Sequence, residues 1–224
     1  HVRSRRQRQM CIRDRYVLND ISFQASRGEI IAIAGANGAG KSTLARMLCG
    51  LQKNGSGTVL WAGKPMSRRL RRKKAYMVMQ DVGHQLFTDS VAAECALGIK
   101  TPNKDEIDRT LEKVDLLAYK ERHPLSLSGG QMQRLAVVVS DICGKDLLVF
   151  DEPTSGLDLK SMEEVGTLTR SLATQGKVLL IITHDIEFMM QICTRILFIR
   201  DGEIVEDLSG GQKEKIVRLL RGEE

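Results

Sequence analysis

The sequence predicts an α/β fold in which a mostly parallel sheet is covered by helices and carries an inserted helical subdomain. From Val17 onward, short apolar runs alternate with stretches of helical periodicity, as in parallel strands joined by helices. Between about residues 90 and 140, helical signals dominate. A chain of 224 residues with 42% hydrophobic content can bury one such core. We therefore expect one domain over residues 16–224, with its helical insertion near 90–140.

Five short apolar runs are the strand candidates, and helical signals lie between them. Inside the insertion, Asn103 and Glu106 have the spacing of a capping box, and apolar residues follow at helical spacing. The basic run Arg68–Lys74 precedes the second candidate, and we expect it to form a solvated face. The strand candidates are Ile30–Ala34, Ala75–Met79, Leu147–Phe150, Val178–Ile182 and Ile196–Ile199.

Residues 1–15 are excluded from the predicted fold. They contain six arginines and one aspartate, with no apolar periodicity and no signal-peptide core. Because Met10–Arg15 can be encoded by a transposase-end adaptor of sequencing libraries, we favour a non-native tail over the alternative of a disordered basic tail. The tail carries +5 of the net charge of +6, which leaves +1 for the other 209 residues. A nucleic-acid partner is therefore not expected.

Composition also bears on membrane insertion, metal sites and compartment. No uninterrupted apolar run reaches the roughly 18–20 residues that cross a bilayer, so direct membrane insertion is not expected. The five cysteines are scattered and form no CxxC pair, which indicates neither a zinc site nor a disulfide framework. Such cysteine usage is typical of a reducing cytosol.

A phosphate-binding motif follows the first strand candidate. Residues 35–43, GANGAGKST, satisfy GxxxxGK[ST] in the required order of strand, loop and helix, as in a P-loop NTPase. Backbone N–H groups in such a loop point at phosphate oxygens, and the helix adds its positive end. We expect Lys41 to bridge the β- and γ-phosphates and Ser42 to ligate Mg²⁺. The predicted ATP-binding residues are Gly35, Asn37, Gly38, Gly40, Lys41, Ser42 and Thr43.

Two carboxylates, Asp151 and Glu152, end the third strand candidate. Carboxylates at the end of a buried strand are costly unless they are used. An Asp–Glu pair alone would most often start a capped helix, but together with a phosphate loop it indicates catalysis. We expect Asp151 to hold Mg²⁺ through a water, and Glu152 to accept a proton from the water that attacks the γ-phosphate.

A further motif, LSGGQ at residues 127–131, lies some sixteen residues before the Asp–Glu strand. With five other elements it resembles the ATP-binding cassette (ABC) family, and the match runs from residue 17 to about residue 207. In chain order, the elements are the phosphate loop, Gln80, LSGGQ, Asp151–Glu152, the turn Ser155–Asp158 and His184.

The resemblance implies roles for residues that would otherwise be ordinary polar side chains. Gln80 is expected to reach Mg²⁺ and the attacking water, and His184 to contact the γ-phosphate. Asp158 is expected to lie in the family's D-loop.

The LSGGQ motif itself looks like a second anion site, made of a serine hydroxyl, backbone N–H groups and a helix N-terminus. The resemblance implies that it binds ATP held by a second ABC domain, identical or different, so that dimerisation completes two shared sites. The residues assigned to this signature are Ser128, Gly129, Gly130 and Gln131.

The stretch Val78–Val91, with its QLF element, resembles the ATPases of energy-coupling factor importers, which take up vitamins and transition metals. That resemblance implies a transmembrane partner and a cytoplasmic position on the inner face of the cell membrane. Another transporter type, or an ABC protein outside transport, is the alternative. A DNA-maintenance ATPase would need a long coiled coil between the phosphate loop and LSGGQ, and this sequence has none. A non-hydrolysing module would be expected to lose Glu152 or His184, and both residues are present.

Two features depart from the family pattern. A second LSGGQ, Leu208–Gln212, follows all the family motifs, and we expect it to be a polar loop before a helix over residues 213–220. The family's adenine-stacking aromatic would stand five or more positions before Val17, in the excluded tail. Tyr16 is too close to Val17 to be assigned that role.

Overall fold

The structure is a computed structural model that describes residues 17–53 and 57–221. The expectations for the tail, residues 1–15, and for Tyr16 fall outside the described residues. Within the described part, no helix is long and apolar enough to cross a membrane.

A six-stranded sheet forms the centre of the described structure, in the order β4-β5-β6-β1-β7-β8. Neighbouring strands are parallel except for β8, which runs antiparallel to β7. Strands β2 and β3 form a separate antiparallel pair. The predicted mostly parallel α/β fold is confirmed. The strands are β1 Ile30–Ala34, β2 Leu60–Trp61, β3 Lys64–Pro65, β4 Ala75–Val78, β5 Leu147–Asp151, β6 Val178–Ile182, β7 Arg195–Arg200 and β8 Glu203–Ser209.

The five predicted strands are present because their apolar runs suit a sheet that is covered on both faces. β1 and β6 are buried at every position, as in the centre of a parallel sheet. Strands β2, β3 and β8 were not predicted. β8 is an outer strand of the sheet, and its side chains alternate between exposed and more buried positions. The dipeptide Asp201-Gly202, a strong hairpin signal, could have found it.

The described residues form eight α-helices and three short 3-10 helices, Val82–His84, Leu117–Tyr119 and Pro124–Ser126, and α-helices cover both faces of the sheet. α1 packs on one face, while α5, α6 and α7 pack on the other. Helices α3, α4 and α5 occupy the region from Val91 to Ile142 and share a cluster of their own. The helices are α1 Lys41–Leu48, α2 Arg68–Lys74, α3 Val91–Ala96, α4 Lys104–Glu112, α5 Gly129–Ile142, α6 Leu159–Thr174, α7 Ile186–Ile192 and α8 Lys213–Arg221.

Two expectations about local structure need correction. The basic run forms α2, but Arg71 is only 3% exposed and its guanidinium donates to the carbonyl of Met47. The prediction that the basic run forms a solvated face is therefore wrong at Arg71, because α2 packs against the end of α1. In the second LSGGQ copy, Leu208 and Ser209 belong to β8, so the expected polar loop is limited to residues 210–212.

Candidate active site

Four neighbouring parallel strands have their carboxyl ends side by side, and this brings the predicted catalytic segments together. Val78 pairs with Phe150, Asp151 with Ile182, and Ile182 with Ile33. The segments that follow β4, β5, β6 and β1 therefore lie side by side. They carry Gln80, Glu152, His184 and the phosphate loop, which is the usual position of ligand sites in open α/β sheets.

The phosphate loop passes directly into α1 at Lys41. Gly40, the N-cap residue, adopts a left-handed conformation with φ = 104° and leaves the first turn without a side-chain cap. A Cβ at Gly40 would lie 2.7 Å from Cδ2 of Leu18, so the start of the described chain packs against the loop. Lys41 Nζ donates to the carbonyls of Gly35 at 2.8 Å and Ala36 at 3.0 Å. The loop thus presents an ammonium group beside a helix N-terminus, as an anion site requires.

Ser42 and Asp151 join this loop to the end of β5. Asp151 is 8% exposed, and burial raises the pKa of its carboxyl, while the hydrogen bond with Ser42 lowers that pKa. Repulsion from Glu152 raises the same pKa further, and Arg46 and Lys41 oppose that effect. A hydroxyl and a buried carboxylate in contact are hard oxygen donors that suit Mg²⁺, which keeps several ligands from water and phosphate. The two residues therefore fit the predicted metal.

Glu152 and His184 form a pair that the sequence analysis did not foresee. His184 Nδ1 lies 2.8 Å from Glu152 Oε1, although the His184 side chain is 83% exposed and that of Glu152 only 13%. Glu152 has φ = 51°, in the left-handed region that residues other than glycine rarely adopt. Its N–H donates to the carbonyl of Ile182 at 2.7 Å. Backbone of this kind often occurs at functional sites because it fixes a side chain's direction.

Gln80 lies exposed, two residues beyond the end of β4. Gln85 orders the same loop, a role that the sequence analysis missed. Its Oε1 accepts from the Met79 N–H at 3.0 Å, and its Nε2 donates to the Met77 carbonyl at 2.8 Å and to the Tyr76 hydroxyl at 3.1 Å. Gln85 is the first residue of the QLF element, which was used above only as evidence of family resemblance. That element was the sequence signal that could have indicated this role.

The first LSGGQ motif forms the start of α5. The Ser128 hydroxyl accepts from the Gln131 N–H at 3.3 Å, and Gln131 Oε1 accepts from the Ser128 N–H at 2.9 Å, which is a capping box. Among the described hydrogen bonds, none joins this motif to residues 35–43. In the part of the chain that the structure describes, the motif is therefore not hydrogen-bonded to the phosphate loop.

Asp158 caps α6, the helix that packs beside α5. Asp158 Oδ1 accepts from the Ser161 N–H at 2.8 Å. Hydrogen bonds from the Ser161 side chain and backbone hold the pKa of Asp158 below its usual value. The residue predicted to lie in the D-loop is therefore a helix cap whose hydrogen bonds favour the ionised carboxylate.

Comparison with known proteins identifies relatives of one kind. Residues 18–155 match the family model described as ABC transporter. Two ABC transporter ATP-binding proteins of Treponema denticola are 60% and 46% identical over 204 and 193 residues. These matches cover 91% and 85% of this chain but 42% and 39% of the relatives. The chain thus spans about two fifths of their length.

Solved structures agree with this result. CbiO1 from Clostridium perfringens, part of the ABC transporter complex cbiONQ, is 30% identical with a TM-score of 0.78, covering 92% of this chain and 87% of its own. A bacterial Atm1-family ABC exporter with ATP bound is 27% identical with a TM-score of 0.77, covering 95% of this chain and 38% of its own.

Proposed function

The chain belongs to the ABC transporter family as an ATP-binding, ATP-hydrolysing domain, and from that premise we propose that it powers an importer of the energy-coupling factor class. The proposed cargo is a vitamin or a metal ion that crosses through a membrane partner. The similarity to CbiO1 and the QLF element support this class. The observation that carries the proposed chemistry is the grouping of the phosphate loop, Asp151, Glu152 and His184 at one sheet edge.

The phosphate loop binds the triphosphate of ATP in this proposal. The first turn of α1 offers backbone N–H groups and the positive end of the helix. Lys41, which contacts the loop carbonyls of Gly35 and Ala36, turns its ammonium group toward the β- and γ-phosphates when they arrive.

Mg²⁺ would be held by Ser42 directly and by Asp151 through a water, with Gln80 as a further ligand. When bound, the ion neutralises charge that develops on the β- and γ-phosphate oxygens. Burial disfavours the negative charge of the Asp151 carboxylate, and a nearby divalent cation would stabilise that charge. Asp151 therefore suits this position.

Glu152 acts as the general base. Its carboxylate takes a proton from a water as the water oxygen bonds to the γ-phosphorus and the bond to the leaving ADP oxygen breaks. His184, 2.8 Å from Glu152 Oε1, orients that carboxylate and contacts the γ-phosphate. Because the Glu152 side chain is only 13% exposed, its charge is weakly screened at the place where the water must be activated.

A second ABC domain completes each site in this proposal. The capped start of α5 supplies Ser128 and backbone N–H groups to the nucleotide of the other domain, and Asp158 lies beside it at the start of α6. The second domain would belong either to the same polypeptide or to another one. The proposed position is the inner face of the cell membrane, against a transmembrane subunit.

The test of this function is Glu152→Gln, which keeps the size of the side chain and removes the base. ATP binding should be retained, while turnover should fall by roughly 10²–10⁴-fold, the usual contribution of a general base. The matched control is Glu112→Gln, the same change at an exposed position on α4. Hydrolysis by Glu152→Gln at the rate of the control would remove Glu152 from this role.

Transport class needs a separate measurement. After detergent extraction, the full-length protein should co-purify with a transmembrane subunit, and a bound vitamin or metal ion on that subunit supports the importer class. The TM-score to the Atm1-family exporter is similar to that for CbiO1, and this supports the alternative of another transporter type. In that case the transmembrane subunit would hold neither a vitamin nor a metal ion.

A further inference from the structure

The two glycines of the first LSGGQ motif have different surroundings. A Cβ at Gly129 would meet no described atom within 4 Å. A Cβ at Gly130 would lie 2.5 Å from Oγ and 3.0 Å from Cβ of Ser161, closer than such atoms normally approach. Gly129 is therefore on the open side of α5, whereas Gly130 is the residue that lets α6 come close.

Ser161 belongs to the first turn of α6, which Asp158 caps. The Ser161 N–H donates to Asp158 Oδ1 at 2.8 Å, so the backbone of Ser161 holds the D-loop carboxylate in place. Gly130 belongs to the first turn of α5, which Ser128 caps. The contact between Gly130 and Ser161 therefore joins the two helix starts that the proposed function assigns to one shared site.

One turn further along both helices, a charge pair holds the same interface. Arg134 Nη1 forms an ion pair with Glu164 Oε2, and the two side chains are 12% and 31% exposed. Lys160 Nζ approaches the other oxygen of Glu164 at 3.9 Å. Because this pair is partly buried, its attraction is less screened than that of a surface pair, and it resists separation of α5 from α6.

We infer that Gly130 and Ser161 are positioning residues, whose close contact sets the signature Ser128–Gln131 relative to the D-loop residue Asp158. This inference rests on the proposed function, since it concerns how one chain presents both elements to a shared site. The opposing view is that Gly130 is small only so that its backbone N–H can reach phosphate. Alanine retains that N–H, and the nearest atoms to its Cβ belong to Ser161, so the two views predict different results.

The experiment uses Gly130→Ala, Ser161→Gly and the double variant in the full chain. A misplacement of the order of 1 Å costs up to about 10²-fold in rate, so Gly130→Ala should lower kcat per ATP-binding site by about 10- to 100-fold. ATP affinity should be unchanged, because the phosphate loop lies elsewhere. Ser161→Gly removes both crowding atoms and the side-chain hydrogen bond to Asp158, but it keeps the backbone N–H that donates to Asp158 Oδ1, so the double variant should regain part of the lost rate.

The second LSGGQ copy provides a matched control. Gly211 is the corresponding second glycine, and its Cβ would meet only Ser209 Oγ, at 4.0 Å. Gly211→Ala should leave kcat within about twofold of the wild-type value. Counting active sites by ATP binding separates positioning from stability, because a merely destabilised variant loses binding-competent molecules without losing kcat per site.

The possible outcomes separate the inference from the function on which it rests. The positioning role would be overturned if Gly130→Ala and Gly211→Ala had equal kcat, or if the double variant were no faster than Gly130→Ala. In either case, hydrolysis by the wild-type protein would still uphold the proposed function. A wild-type chain without hydrolysis in the complete assembly would overturn the function itself. In that case the unfolding temperatures still test the contact between Gly130 and Ser161. If Gly130→Ala lowers the unfolding temperature and adding Ser161→Gly restores it, the contact is supported. If the two substitutions lower the unfolding temperature additively, the contact is overturned.

Discussion

LSGGQ occurs twice in this chain, and the two copies have different structures. In the first copy, the serine caps a helix that starts at the next residue, Gly129. In the second, Leu208 and Ser209 end strand β8, and α8 starts only at Lys213. In both copies, the leucine is buried and the glutamine side chain accepts from the serine N–H.

The neighbours of each copy explain the difference. Ser209 pairs with Arg195 in the sheet, and the Gly210 N–H donates to the carbonyl of Thr194 at 2.8 Å. The Gln212 N–H then donates to the backbone carbonyl of Ser209 at 3.0 Å rather than to its hydroxyl. Pairing of β8 with the neighbouring strand β7 thus overrides a local capping signal. Identical sequences give an open helix start in one place and a strand end in the other.

The largest expected effect comes from arginine at the two serines. Ser128→Arg places bulk and charge at the helix start proposed for the other domain's γ-phosphate, and it should lower hydrolysis by at least about 10²-fold, as loss of an oxyanion donor does. ATP binding by its own phosphate loop should remain. Ser209→Arg should stay within about 0.5 kcal/mol of wild-type stability with normal turnover. ATPase rates decide the matter, since an inactive Ser209→Arg would reverse the assignment of the two copies.

Mixing inactive chains sharpens the same result. Ser128→Arg combined with Lys41→Ala leaves one intact shared site in each mixed dimer, and activity should partly return. Each variant mixed with itself is the control. Failure to recover would mean that the signature does not act across two chains, or that one intact site is insufficient.

A smaller effect is expected from alanine at the same serines. Ser128→Ala removes the acceptor of the Gln131 N–H and should lower the free energy of unfolding by about 0.5–2 kcal/mol, as loss of an N-cap does. Ser209→Ala should cost less than about 0.5 kcal/mol, because the Gln212 N–H uses a backbone acceptor. Chemical denaturation measures both changes, and equal losses would contradict the structural difference between the copies.

The smallest expected effect concerns pH near the second copy. Arg195 donates to both carboxylate oxygens of Asp207 at 2.6 Å, and this pairing holds the pKa of Asp207 below its ordinary value. The stabilisation is fully present above the unfolded pKa of about 3.9 and is lost as pH falls through the lower folded pKa. The difference in unfolding temperature between wild type and Asp207→Asn should therefore be constant from about pH 5 to 7 and shrink below about pH 4. A difference that persists at low pH would indicate a structural effect of asparagine instead.

The fold class, the family and the order of the motifs could all be predicted from the amino-acid sequence. Continuous apolar runs predicted the five parallel strands because a strand covered on both faces needs apolar residues at every position. The phosphate loop was equally clear, since its glycines, Lys41 and Ser42 lie within nine consecutive residues between a strand and a helix. Signals of this kind are local, so they can be identified without knowing which segments meet.

Which segments lie together could not be predicted in this way, because it depends on how the strands and helices pack. The tertiary structure brought His184 to Glu152 and Ser42 to Asp151, because four parallel strands end at one edge although they are far apart in sequence. It also buried Arg71 and ended β8 at Ser209, where helix packing and strand pairing outweigh local charge and capping patterns. Such outcomes depend on residues outside the local motif, such as Arg195 and Thr194 beside the second LSGGQ copy, and identical LSGGQ sequences therefore have different structures.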